Sequence, residues 1–390
     1  MSTLAGLGAF ASTARPQSQT QSELDTPLTT TGGPPGLLKV EPISTPSPML
    51  VQNKAYLVYE LLVTNFQTAP VTLDSLVADG GPMGIFRFEG TDTLKSMVDL
   101  PARYAASGQE LSIEPLKTRL LLFWLPFASQ QVPRRLMHTI GYSVSSGSGD
   151  RRRMEAVIQP MLIDSKTAPV IIGPPLRGNN WLAANGPSNT SGHRRAFMVA
   201  DGQMYFPERF AIDFVQLGAD GKTYAGDPKD NRSYHGYGAD IIAVADGTIV
   251  DAKAGMQDNV PGSATGPITM ATIGGDYLIE DIGNGAFAFS AHLKTGTLKT
   301  YLGASVKRGQ VLASLGNTGN STEPHLHFHI ISKPFPLAGR GIPYAFDHFS
   351  IVTGHLKQQE EISFVFGTGE PTAVSNSLVL ENTLINFPQK

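Results

Sequence analysis

Short apolar runs separated by turn residues dominate the pattern of hydrophobic and polar positions along this chain. In the first half, the β-rich runs cover residues 55–65, 70–79, 120–125, 139–144 and 154–161. None of them has the 3.6-residue period of an amphipathic helix. Several short strands with turn signals between them predict an antiparallel sandwich. We therefore interpret residues 37–165 as an Ig-like β-sandwich module in which no chemistry is visible.

Residues 192–350 have the same strand-rich character, with a sharper pattern at their end. Two runs within residues 241–252 meet at Asp246-Gly247, a dipeptide that favours a hairpin. At residues 325–330, three histidines alternate with Leu326, Phe328 and Ile330. In a strand, this alternation sends the imidazoles to one face and the apolar side chains to the other. The pattern predicts an all-β domain in which one strand has a core face and a site face.

Three segments lie outside these two domains. Residues 1–36 are rich in Ser, Thr, Gln, Pro and Gly, a composition typical of disorder. Residues 166–191 form a Pro- and Gly-rich linker that we expect to cover one edge of the following domain. Residues 351–390 are a C-terminal extension with a few extended runs. No stretch of about 18 apolar residues is present, so the sequence predicts no transmembrane helix.

Composition narrows the possible functions. The net charge of −3 argues against a nucleic-acid binder, because no basic excess is available to neutralise phosphates. Cysteine is absent, so any zinc ion must be held by His, Asp or Glu. The lack of cysteine is also compatible with a protein outside the cytoplasm.

The candidate chemistry lies in residues 192–350, which hold seven of the nine histidines. His325, His327 and His329 share one face of the predicted strand, and imidazole is a common metal ligand and acid–base group near neutral pH. Asp213 interrupts an apolar run, where a carboxylate is costly to bury unless it is paired or binds a metal. These residues together predict a metal site.

Several blocks of this domain resemble the M23 zinc metalloendopeptidases of the lysostaphin and LytM type. In chain order, the blocks are Asp213, Ala245-Asp-Gly-Thr-Ile-Val, Ala291-His-Leu, Val306-Lys-Arg-Gly-Gln-Val-Leu and Leu315-Gly-Asn-Thr-Gly-Asn-Ser-Thr-Glu-Pro-His-Leu-His-Phe. The resemblance implies an antiparallel β domain with a duplicated hybrid motif, one zinc ion, and cleavage of peptide cross-links in bacterial peptidoglycan. It also implies an extracytoplasmic location, whether periplasmic, cell-wall associated or secreted.

The resemblance also implies roles for individual residues. Asp213 and His327 take the positions of two zinc ligands, while His292 and His325 take those of two catalytic histidines that do not bind the metal. The family's first ligand is a His four residues before the Asp, where this chain has Arg209. Arginine stays protonated and cannot bind zinc. We expect His193 to replace this ligand, and His329 and His235 are the alternatives.

Two other functions compete with the peptidase. A non-catalytic relative that lost its metal through Arg209 would bind the cell wall or activate another hydrolase. A lipoyl- or biotinyl-type carrier domain has similar hairpins, although this chain lacks a lysine at an exposed hairpin tip in the expected setting, and the histidine strand has no role in a carrier.

If zinc is bound, one of His292 and His325 takes the proton of a water, and the other stabilises the oxyanion or protonates the leaving amine.

Overall fold

The computed structural model of this protein describes residues 37–99, 111–145, 151–263, 267–336, 338–358 and 362–389. Strands predominate, and the chain divides into two compact units, Met1–Ala168 and Pro169–Lys390. The predicted disordered segment, residues 1–36, lies outside the described residues. In the described ranges, no helix is long and apolar enough to cross a membrane.

The first unit is built from two antiparallel sheets. One has the order β1-β3-β8-β6, with β2 also paired to β3, and the other has the order β10-β9-β4-β5, with β7 also paired to β4. The elements are β1 Leu38–Pro42, β2 Pro48–Val51, β3 Lys54–Asn65, β4 Val71–Asp79, β5 Ile85–Glu89, helix α1 Thr91–Met97, β6 Val98–Asp99, β7 Ser112–Ile113, β8 Thr118–Pro126, β9 Arg135–Ser145 and β10 Arg151–Leu162, with a 3-10 turn at Gly81–Met83.

One hydrophobic cluster fills the space between these two sheets. Alternate residues of β3, such as Leu57 and Leu61, meet residues of β4 and β9, such as Leu76 and Ile140, in this cluster. The period of two follows from the pleat of a strand, which turns every second side chain inward. The unit is therefore an antiparallel β-sandwich, which is compatible with the predicted Ig-like module.

The second unit contains one long sheet and three small two-stranded sheets. The long sheet has the order β11-β23-β27-β12-β15-β22-β19-β18-β17-β20, with β26 also paired to β23. The strands are β11 Val170–Ile172, β12 Gly178–Ala184, β13 Met198–Ala200, β14 Gln203–Tyr205, β15 Ile212–Gln216, β16 Asp240–Ile242, β17 Gly247–Lys253, β18 Asp276–Asp281, β19 Phe287–Leu293, β20 Ser305–Val306, β21 Val311–Ser314, β22 Leu326–Ile331, β23 Tyr344–Ile351, β24 Gly354–Gln358, β25 Ile362–Phe366, β26 Thr372–Ser377 and β27 Leu384–Phe387. Two 3-10 turns lie at His193–Arg195 and Asn231–Ser233.

Strand β22 occupies the middle of the long sheet, between β15 and β19, and confirms the predicted alternation. Leu326, Phe328 and Ile330 are fully buried. The ring of Phe328 packs edge-on against Tyr344 at a centroid distance of 5.7 Å. The alternate residues of this strand are the histidines.

The predicted linker and C-terminal extension both contribute to this sheet, so the unit is larger than residues 192–350. The linker segment supplies β11 and β12, and the extension supplies β26 and β27. Strand β27 lies between β23 and β12, where Trp181 pairs with Ile385. Both residues are fully buried, and this burial outweighs the loop character of the surrounding Pro and Gly residues.

The hairpin predicted at Asp246-Gly247 does not form. Strand β16 pairs with β21 in a two-stranded sheet, whereas β17 pairs with β18 and β20 in the long sheet. The carboxylate of Asp246 instead accepts hydrogen bonds from Lys307 Nζ, at 2.7 Å, and from the backbone N–H of Arg308, at 3.0 Å. These contacts fix the segment as a crossing between two sheets.

Candidate metal centre

Asp213 and His327 face each other across the β15–β22 pairing, in register as partners. His327 Nδ1 lies 2.9 Å from Asp213 Oδ1. The 3-10 turn His193–Arg195 adds a third side chain, since His193 Nε2 lies 3.4 Å from Asp213 Oδ2. One ligand atom from each of the three residues lies within 4.8 Å of the others. The expected replacement residue His193 is thus next to the two residues that the family resemblance pointed to.

Asn185 brings His193 to this place. It follows β12, whose last residue Ala184 pairs with Asp213, and it adopts a left-handed backbone with φ of +46°. Its backbone oxygen accepts hydrogen bonds from His193 Nδ1 at 2.8 Å and from Ser191 Oγ at 2.9 Å. Its side-chain Nδ2 donates to Asp213 Oδ2 at 3.0 Å. One residue therefore orients two of the three candidate ligands.

His292 and His325 also lie near this group, with their ring centroids 4.7 Å apart and that of His292 5.8 Å from that of His327. His292 Nδ1 donates to the backbone oxygen of Thr318 at 2.8 Å, and His325 Nδ1 donates to that of Glu323 at 2.8 Å. Each ring consequently keeps Nε2 free of its proton while neutral. His325 Nε2 lies 3.5 Å from Asp213 Oδ1, so this nitrogen faces the carboxylate of one candidate ligand.

The Gly-Asn-Thr-Gly turn before β22 supports this pair. A side chain at Gly316 would collide with the backbone of Lys294, and Gly319, at φ +74°, packs against the backbone of Gly275. The side chain of Asn317 is fully buried and accepts a hydrogen bond from Ser321 Oγ at 2.6 Å. Ser321 Oγ lies 3.1 Å from His325 Nδ1. The turn thus needs glycine for close backbone approach and positions the Thr318 carbonyl that orients His292.

Burial and neighbouring charges shift the pKa values of Asp213, His325 and His292 in different directions. Burial raises the pKa of Asp213, but His193 and His325 outweigh this effect and hold it well below its ordinary value. Burial lowers the pKa of His325, and the Asp213 carboxylate reverses the sign, so that its pKa is raised. The pKa of His292 is well below its ordinary value because of burial and the neighbouring His325 and His327. Asp213 therefore remains an anion, and His292 a neutral imidazole.

The alternative third ligands lie elsewhere or play a different part. His329 is fully buried, with Nδ1 2.9 Å from His327 Nε2, on the side of that ring away from Asp213. His235 donates its backbone N–H to Thr223 O and does not belong to the group of three. Arg209 is buried with its guanidinium over the rings of Phe206 and Phe210, at 5.8 and 5.9 Å.

Two residues near the group escape sequence reasoning. Asn185 lies in a segment interpreted as a linker, and its amide carries no local pattern. The Glu208 carboxylate lies 3.7 Å from His327 Nε2. Glu208 directly precedes Arg209, which stands four residues before Asp213. This position is the only signal in the sequence that could have drawn attention to Glu208.

The donor set suits zinc. Two imidazole nitrogens and a carboxylate oxygen, without thiolates, are a usual set of three protein ligands for a catalytic zinc ion, which keeps a fourth position open. The carboxylate also supplies the negative charge that a buried divalent ion requires. His193, Asp213 and His327 could therefore hold such an ion.

Comparison with known proteins finds a similarity to one family within the second unit. Residues 234–337 match peptidase family M23, a range that includes His292, His325 and His327 but not His193 or Asp213. The chain is 28% identical over 212 residues to the peptidoglycan DD-endopeptidase ShyA of Vibrio cholerae, covering 53% of this chain and 46% of that protein. It is 25% identical over 138 residues to endolysin 2638A of Staphylococcus phage 2638A, covering 32% of this chain and 28% of the endolysin.

Among solved structures, the catalytic domain of lysostaphin from Staphylococcus simulans aligns with 20% identity and a TM-score of 0.22. That alignment covers 40% of this chain and 83% of the lysostaphin domain. The chain spans less than half the length of the two curated relatives. Residues 234–337 of this chain therefore resemble peptidase family M23.

Proposed function

We propose that this protein is a zinc-dependent endopeptidase that hydrolyses peptide cross-links of bacterial peptidoglycan. One observation carries the proposal, namely the grouping of His193, Asp213 and His327 beside the orienting pair His292 and His325. Three candidate ligands and two acid–base groups are the complement that metal-assisted hydrolysis of an amide requires.

The side chains of this group have different roles in the proposed reaction. A divalent ion held by the three ligands would lower the pKa of a bound water towards neutrality and polarise a carbonyl group. His292 is neutral and presents a lone pair at Nε2, because its Nδ1–H donates to a backbone carbonyl. His325 donates from Nδ1 in the same way, and its Nε2 presents a lone pair in the neutral ring and an N–H in the protonated ring. One of them removes a proton from the attacking water, and the other stabilises the developing oxyanion or protonates the leaving amine.

The substrate class and location rest on the relatives. A protein named as a peptidoglycan DD-endopeptidase and an endolysin both match this chain. We therefore infer that the substrate is a peptide of peptidoglycan and that the protein acts outside the cytoplasm, in the periplasm, at the cell wall or after secretion. No nucleic acid has a part in this activity.

The competing interpretation is a catalytically inactive M23-like module that binds the cell wall or activates another hydrolase. Such a module has no chemical need of two buried histidines whose tautomers are fixed by carbonyl groups. The orientation of His292 and His325 supports the enzyme instead.

The decisive experiment measures metal content and hydrolysis on the same purified chain. We expect one zinc ion per chain by mass spectrometry, release of soluble peptides from purified peptidoglycan, and loss of both in His327→Ala. Zinc binding without hydrolysis, or binding to peptidoglycan by a chain that takes up no zinc after metal loading, would contradict the proposed activity and favour the inactive module.

A further inference from the structure

The imidazole of His327 has a second nitrogen that faces away from the candidate metal position. Nδ1 lies against Asp213, whereas Nε2 faces two groups on the opposite side of the ring. His329 Nδ1 lies 2.9 Å from Nε2, and Glu208 Oε1 lies 3.7 Å from it. The group that forms a hydrogen bond with Nε2 depends on which ring nitrogen of His327 carries the proton.

Ligation fixes the position of that proton. A neutral imidazole carries one proton, so a ring that binds a metal through Nδ1 must carry its proton on Nε2. The Nε2–H group is buried here, since the His327 side chain is only 6% exposed. A buried N–H donor needs an acceptor, and such acceptors also set the orientation of a metal-binding histidine.

His329 is a poor acceptor for this proton. To accept at Nδ1, its neutral ring must carry its own proton on Nε2. That atom is buried and has no hydrogen-bond partner within the described part of the chain. A buried N–H left without a partner costs about 1–3 kcal/mol. His329 suits the metal-free state better, in which its Nδ1–H donates to His327 Nε2 and leaves only a lone pair at its own Nε2.

Glu208 has no such difficulty. Its carboxylate is an acceptor in the ionised form, and its side chain is 14% exposed, so water can solvate the second oxygen. Its Oε1 lies 3.7 Å from His327 Nε2, about half an ångström beyond hydrogen-bond distance. Glu208 also lies in the segment just before β15, the strand that carries Asp213.

We propose that Glu208 is a positioning residue that accepts the Nε2–H of His327 whenever Nδ1 of that ring is a metal ligand. This inference rests on the proposed zinc function. It predicts an exchange of partners, in which His329 serves Nε2 in the metal-free protein and Glu208 serves it in the metal-loaded protein.

The test is the zinc affinity of the full chain, measured by competition with a chromophoric chelator, together with the visible spectrum of the cobalt-substituted protein. We expect Glu208→Ala to weaken zinc binding by about 10- to 100-fold, the usual cost of losing such a partner, and to alter the cobalt spectrum. Glu208→Gln should lose less, because its amide oxygen still accepts. His329→Phe should keep near-native affinity, since the ring volume is preserved beside Phe289.

Asp201→Ala is the matched control, because it removes an exposed carboxylate from the hairpin turn between β13 and β14. It should change affinity by no more than about twofold. Thermal unfolding of the metal-free variants separates a folding defect from a defect in the site. Native affinity in Glu208→Ala, or a loss confined to His329→Phe, would overturn the role of Glu208. Failure of the wild-type chain to bind zinc would overturn the proposed function as well, so the two failures are distinguishable.

Discussion

The imidazole of His193 donates from Nδ1 to the backbone oxygen of Asn185 over 2.8 Å, which leaves Nε2 to face Asp213 at 3.4 Å. A histidine from a turn thereby reaches the carboxylate that β15 presents. A metal ligand can therefore come from a different segment of the chain. A backbone carbonyl that accepts from Nδ1 orients the imidazole so that Nε2 points towards the site.

His193→Ala should abolish stoichiometric zinc binding. The loss should exceed the about 10- to 100-fold that removal of an outer hydrogen-bond partner costs, since a ligand itself disappears. Arg209→Lys, which changes the residue at the family's ligand position but keeps its charge, should retain one zinc ion per chain. The metal content of both variants is measured by mass spectrometry. Loss of zinc in Arg209→Lys together with its retention in His193→Ala would exclude His193 as a ligand.

Asn185→Gly isolates the contribution of the amide group to Asp213. Glycine tolerates the left-handed backbone and keeps the carbonyl that orients His193, so only the Nδ2 hydrogen bond is removed. We expect zinc affinity to fall by about 10-fold. Asn180→Gly is the control, because Asn180 has a similar φ of +63° and lies in β12, the strand that leads into Asn185. Equal affinities in the two variants would refute a role for the amide.

His292→Ala and His325→Ala should separate hydrolysis from metal binding. Neither residue is among the three candidate ligands, so both variants should still bind one zinc ion. Hydrolysis of peptidoglycan should fall by about 10²- to 10⁴-fold, the usual contribution of a general acid or base. His355→Ala changes an exposed histidine of β24 and should keep full activity. A fully active His292 or His325 variant would remove that residue from the mechanism.

Glu280 should make stability depend on pH. Burial, reinforced by Asp246, outweighs the hydrogen bonds from Val244 and Ala245 and raises the pKa of Glu280 to about 7 from the ordinary 4.5. Its Oε1 has no partner in the described structure. Between these two pKa values the folded state binds more protons than the unfolded state, so the stabilisation present below pH 4.5 is lost as the pH rises through 7.

Glu280→Gln stays neutral and should escape this loss. The free energy of unfolding of the variant, relative to the wild type, should grow by about 3 kcal/mol between pH 4.5 and pH 8. Denaturant titrations at several pH values measure this difference, and the histidine titrations common to both proteins cancel. A difference that is independent of pH would show that Glu280 titrates normally.

Sequence reasoning succeeded where one strand carries its own pattern. The alternation of His327 and Phe328 marks a strand with a buried face, and Asp213 stands out among apolar neighbours. It was less successful where a strand pairs with another strand that is far away in the sequence. Trp181 lies in a segment rich in turn residues, and it belongs to a strand because β12 pairs with β15 and β27, which lie elsewhere in the sequence. Likewise, the role of Asn185 depends on a backbone carbonyl, which has no signature in a sequence.

Strand β12 and the residue that follows it, Asn185, contact residues at very different distances along the chain. Asn185 contacts Asp213, 28 residues later, whereas the backbone of Asn180 donates to Asn386, 206 residues later. Closing the longer loop costs more chain entropy and delays its contacts during folding. A ribosome must therefore make nearly the whole second unit before β12 has both of its neighbouring strands, β15 and β27. We expect the ability to bind zinc to be acquired late in refolding, after most of the sheet has formed, which stopped-flow refolding with a zinc indicator would detect.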